Sequence, residues 1–112
     1  MTFATGRRPT SIDPTNTIFV ILSFEGPDQY SQAGGLGVRV TELSGALASL
    51  GYPTHLIFVG DPHAPATETH REGKLQYHRW CQWISKYYPE GVYAGENEKL
   101  YDFNESVPWF IL

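Results

Sequence analysis

The sequence predicts an α/β fold, a three-layer arrangement with a parallel sheet covered by helices, and three observations carry that prediction. The runs "TIFVILSF" (residues 17–24) and "THLIFVG" (residues 54–60) are short, β-branched and continuously apolar. That is the pattern of strands buried on both faces. Between them Leu36, Val40, Leu43, Leu47 and Leu50 recur at steps of four and three, which gives a helix one apolar stripe. Strand, crossover helix, strand is a βαβ unit, for which the right-handed connection is the rule.

Taken in order, residues 1–16 are polar, carry two prolines and read as a flexible leader, with one domain over 17–112. A glycine- and proline-bearing loop, residues 25–35, separates the first strand from the helix. Gly51 stands where a left-handed helix cap belongs, and Pro53 forbids continuation. "DPHAPATETHREG" reads as a polar loop and "KLQYHRW" as a short strand. "WCQWISKYY" places Trp80, Trp83, Ile84, Tyr87 and Tyr88 at helical spacing, which favours a core stripe over a sugar-stacking surface. "PEGVYAGENE" is turn-rich. "DFNESVPWFIL" looks like a loop entering a helix, with Asn104 or Ser106 as cap and Pro108 in the first turn. Two or three strands fall short of the average sheet of about 5–6, so the chain reads as the incomplete opening part of a longer domain.

Composition narrows the function classes. The 112 residues suit one domain, and the net charge of -4, with no Lys/Arg run, argues against a nucleic-acid partner. No apolar run is long enough for a signal peptide or a membrane span. Cys81 stands alone and cannot form an internal disulfide, which fits a reducing, cytoplasmic setting and a small buried hydrophobe. His55, His63, His70 and His78 are spaced by seven or eight residues, which suits no metal pair, so no metal site is expected.

The chemistry concentrates in "SQAGGLGVRV", where Gly34, Gly35 and Gly37 stand between strand and helix. Such a turn offers unpaired backbone N–H groups and the positive end of the helix dipole to a phosphate or carboxylate. The plainer alternative is that glycine only lets strand and helix pack closely. The dinucleotide pattern G-x-G-x-x-G fails because position 40 is Val, and no Lys-Ser/Thr pair makes a P-loop. Asp61 is a ribose-binding acid or, more simply, a turn former beside Pro62.

The stretch "SFEGPDQYSQAGGLGVRVTELSGALASLGYPTHLIFVGDP" resembles the N-terminal opening of retaining glycosyltransferases of the glycogen/starch-synthase type and their family 4 relatives. The matching residues are Ser23, Glu25 and Pro27, then Gly34, Gly35, Leu36 and Gly37. "HRW" and "DFNES" are similar to bacterial members, so the likeness extends over most of residues 17–112. It implies a GT-B architecture of two Rossmann-like domains, of which this chain holds part of the first. Gln32 stands where glucan synthases usually carry Lys, and Val38 where they usually carry Asp. A broader family 4 type enzyme therefore fits better than an ADP-glucose-dependent glucan synthase.

The resemblance implies that Gly34, Gly35, Leu36 and Gly37 approach the diphosphate of a nucleotide-sugar donor. Glu25, Asp28, Ser31 and Gln32 are candidate donor or acceptor contacts. Solvated carboxylates are the favoured alternative for Glu25 and Asp28, and helix capping for Ser31. No catalytic residue is assigned, because the segments holding the family's active-site His and nucleotide pocket are not in this sequence. The expected ligands are a nucleotide-diphosphate sugar as substrate, with no cofactor, and a carbohydrate acceptor. Hexose transfer would need a missing C-terminal domain or a separately encoded second half. Two alternatives stay open: a small nucleotide- or dinucleotide-binding protein, and a non-catalytic module whose apolar terminus docks on a second polypeptide. An unpaired sheet edge also invites self-association.

Overall fold

The two apolar runs pair in parallel, β1 (Phe19–Leu22) against β2 (Thr54–Val59), in a computed structural model that describes residues 11–112. Most of the expected leader lies outside the described residues. Its last part forms a turn in which the Asn16 amide donates to Asp13 O at 3.1 Å. β4 (Leu75–Trp80), the strand expected from "KLQYHRW", runs parallel to β2 on the other side. A fourth strand, β3 (Thr67–His70), lies antiparallel to β4 and gives the order β1-β2-β4-β3. The result is an open, mostly parallel α/β sheet compatible with a Rossmann-like fold.

β3 corrects the reading of "DPHAPATETHREG" as all loop. "TETH" is an exposed edge with no apolar alternation, so hydropathy gives no sign of it. Strand burial differs too. Leu56, Ile57, Phe58 and Val59 of β2 are fully buried, as a central strand requires, whereas β1 is an edge with Val20 42% and Leu22 53% exposed. Both-faces burial holds for one of the two runs.

α1 (Leu36–Ser49) covers one face and ends as expected. Gly51 is left-handed, its amide donates to Ala48 O, and the Tyr52 amide donates to Leu47 O, which together satisfy the last carbonyls. The stripe facing the sheet is not the leucine stripe. Gly37, Val40, Ser44, Gly45 and Ala48 are buried, while Leu36, Leu43 and Leu50 are about half exposed or more. Small residues bring the helix axis close to the sheet and turn the leucines outward.

The other face is covered by α2 (Gln82–Ser85) and α3 (Glu96–Ile111). The helix expected over 80–88 shrinks to one turn, because Trp80 belongs to β4 and Cys81 takes a left-handed conformation at φ 60°. Trp83 and Tyr87 are exposed, not core. α3 begins nine or eleven residues before the expected caps at Asn104 or Ser106, after a left-handed Gly95 and with Glu96 and Glu98 in its first turn. Acidic residues there complement the helix dipole. Pro108 therefore lies in the last turn, and Asn104 and Ser106 are interior positions, not caps. Lys99, Phe103 and Val107, spaced by four, are the buried stripe. Two cores result: Ile57 and Val59 with Cys81, Ile84, Val92, Phe103 and Val107, and Leu56 and Phe58 with Val40. Among the described residues no helix is long and apolar enough to cross a membrane.

Candidate functional site

The glycine loop sits beyond the carboxyl end of β1, where its three glycines do different jobs. Gly35 is left-handed at φ 92°, a conformation that disfavours any side chain, and it precedes the first residue of α1. Gly37 is a packing residue, because a Cβ there would lie 2.5 Å from Gly26 O. Gly34 is exposed and unstrained. Close packing thus accounts for Gly37 and turn geometry for Gly35.

The anion-binding amides are not all free, and the occupant is Glu25. One of its carboxylate oxygens, Oε1, accepts from the amides of Ala33 at 3.2 Å, Gly34 at 3.3 Å and Gly37 at 3.0 Å. The other, Oε2, accepts from the Tyr93 hydroxyl at 2.7 Å. Burial pushes this carboxyl up, but the bonds from Tyr93, Gly37, Ala33 and Gly34 outweigh it and hold it below the ordinary glutamate range. The Tyr93 hydroxyl, tied to that carboxylate, is pushed up to about 12. Glu25 is only 3% exposed, so it is an internal counter-anion and not a solvated loop carboxylate. The Gly34 and Gly37 amides, expected to face a donor phosphate, point to the protein itself. Among the described residues only the Gly35, Leu36 and Val38 amides of this helix mouth have no acceptor. All three residues are exposed.

The other candidate contacts turn out structural as well. Asp28 is not solvated: it takes a bidentate pair of bonds from Arg79 Nε and Nη2, both 2.8 Å, and also accepts from the Asp61 amide. Arg79 further pairs with Glu68, and the Asp28 bonds together outweigh burial in raising its pKa. Ser31 is fully buried and donates to Val59 O, so it caps no helix and faces no ligand. Gln32 is exposed and ties back to Pro27 O at 2.9 Å. Asp61 accepts from the His63 amide at 2.8 Å, the turn-forming role.

Three long-range partners were not legible in the sequence. Tyr93 and Arg79 hold Glu25 and Asp28, and Lys99 supports the same loop from beneath. Lys99 is fully buried, and its ammonium donates to Tyr30 Oη, Gly91 O and Val92 O at 2.8, 3.2 and 3.0 Å. It also lies 5.0 Å from the Tyr30 ring centre. No local pattern announces these contacts, which join residues 51 to 69 positions apart. Chemically the loop is a backbone surface whose inner amides are taken by Glu25, with open donors at Gly35, Leu36 and Val38. Cys81 is buried, and its thiol is pushed up to about 12 by burial and by Asp102, so it is no nucleophile. No cluster of three or more potential metal ligands is present among the described residues. The chain matches no family model, no curated protein and no solved structure.

Proposed function

We propose that this chain is part of the N-terminal, Rossmann-like domain of a GT-B glycosyltransferase that moves a hexose from a nucleotide-sugar to a carbohydrate acceptor. The observation that carries this reading is the placement of a side-chain-poor rim, Gly34 to Leu36, just past the carboxyl end of the first parallel strand. Open α/β sheets take their ligands there. The likeness of residues 23–62 to such enzymes gives the rim its donor.

In this reading the Gly35 and Leu36 amides touch the donor, and Glu25 holds their geometry by filling the inner sites. Because Glu25 is itself an anion, the loop attracts phosphate weakly. Charge on the departing diphosphate is then met chiefly by the second domain, and this chain alone is inactive. The test is titration of the 15N-labelled chain with UDP-glucose, ADP-glucose and NAD. Amide shifts clustered at Gln32, Gly35 and Leu36 with the nucleotide-sugars are expected. Saturable NAD binding, or no shift at the rim with either nucleotide-sugar, would overturn the assignment.

A second reading, a module that assembles with a separate polypeptide or with itself, is favoured by the exposed edge. Ile18, Val20 and Leu22 of the β1 segment and Trp109 of α3 are 62%, 42%, 53% and 77% exposed. Light scattering across a concentration series separates self-association from a monomer.

A further inference from the structure

His55 on β2 and His78 on β4 are diagonal neighbours, since His78 is in register with Ile57. Their rings are within 16° of parallel with centroids 5.1 Å apart, and His55 Nδ1 lies 2.8 Å from His78 Nε2. At that distance one ring donates its N–H and the other accepts. Phe110, in the last turn of α3, packs edge-on against His78 at 5.0 Å and against Trp80 at 4.9 Å. His55, Phe110 and Ile111 also line a groove of about 420 Å³ whose floor is Val20 and Ile57.

We propose that the His55–His78 pair is a proton-operated clasp that keeps the last turn of α3 seated on the sheet and releases it when both rings carry charge. With one proton between the facing nitrogens the bond is made. A first added proton leaves it intact, because a charged ring still donates to a neutral one. A second places two N–H groups head to head and two positive charges side by side. The rings must then part, and Phe110 loses the surface it rests on.

No ionisable side chain on this face compensates that second charge, and the carbonyl end of α3 is the one negative pole beside it. On this face β1 offers Val20, β3 Thr67, β4 Gln76 and Trp80, and α3 Phe110 and Ile111, none of them ionisable. Glu68, Tyr77 and Arg79 have the opposite strand parity and project to the α1 side. In the last half of α3, Asp102 accepts from Ser106 and Glu105 is exposed. Burial and the charge of His55 both push His78 below the ordinary histidine value, so release falls on the acid side of 6.5. The groove beneath the helix end then widens, and apolar surface appears in a pH-dependent manner.

The test is NMR of the chain with labelled His and Phe between pH 8 and 5. Phe110 ring signals, displaced by the neighbouring aromatic rings, are expected to move toward unstructured positions in step with the second histidine titration only. Exchange protection of the last α3 turn, corrected for intrinsic rates, should fall at least tenfold over the same step. His78→Gln can still bond to His55 but never charges, so Phe110 should stay seated throughout; where that variant does not fold, His55→Gln supplies the same comparison. Movement of Phe110 with the first proton, no movement at all, or an acid transition retained in the Gln variant would each overturn the clasp.

Discussion

Replacing Glu25 with Ala removes the group on which the glycine loop is built, and the structure sets the size of the loss. Four donors lose their acceptor. Ala33 and Gly34 are exposed and Tyr93 is 41% exposed, so water replaces most of those bonds. Gly37 is buried, and an orphaned buried amide costs about 1–3 kcal/mol. The favourable meeting of a carboxylate with a helix N-terminus adds about 0.3–1 kcal/mol. Allowing a few tenths for the rehydrated groups, the total is about 2–4 kcal/mol, a large share of the roughly 5–15 kcal/mol that holds a domain of this size.

The pH dependence follows from the sign of the Glu25 shift. The folded carboxyl lies below the ordinary value of 4.5, so its contribution is complete above that value and is lost as pH falls through the folded one. The assay is urea unfolding of wild type and Glu25→Ala at pH 7 and at pH 3, with the midpoint read at constant slope. The difference should be large at pH 7 and shrink at pH 3, while Glu25→Gln, which keeps one acceptor oxygen, should lose about 1 kcal/mol at pH 7. A loss under about 0.5 kcal/mol at pH 7, the range of an ordinary surface change, would refute the counter-anion argument. So would a difference that does not depend on pH.

Other perturbations separate the remaining parts. Asp28→Ala leaves Arg79 buried with Glu68 as its one remaining acid, and the unfolding free energy from urea curves should fall by about 3 kcal/mol. Gly37→Ala forces a Cβ against Gly26 O and should cost about 1–3 kcal/mol of overpacking, whereas Gly35→Ala meets open space and pays about 1–2 kcal/mol for its left-handed backbone. Only the first should shift amides across the Gly26 contact in a spectrum. Cys81, buried with its thiol near 12, should resist iodoacetamide at pH 8 until urea unfolds the chain, so prompt native labelling would contradict its burial.

The βαβ frame was legible because its signals are local. Apolar runs mark β1 and β2, and Gly51 followed by Pro53 marks the end of α1, each within a few residues. What escaped depended on partners far along the chain. The outward leucines of α1 are explained only by the small residues that let the helix press on β2. β3 is a strand because β4 offers it an edge, not because "TETH" asks to be one. The start of α3 rests on Gly95 and its acidic first turn, and Pro108 drew the expected start too far along. At the site the bare glycines were visible, but Glu25 as their occupant was not. Its nearest competing reading, a solvated loop acid, differs only by the presence of Tyr93, 68 positions away.

Three side-chain ties to the loop over residues 25–30 come from late in the chain: Arg79 to Asp28, Tyr93 to Glu25 and Lys99 to Tyr30. Closing such wide loops is entropically slow, so the local strand–helix–strand unit is expected to organise the folding barrier and the glycine loop to be locked after it is crossed. Weakening these ties should leave the refolding rate nearly untouched and hasten unfolding instead. The rim offered to a ligand is thereby among the last surfaces to acquire its shape on the way to the native state, and the first to lose it on the way back.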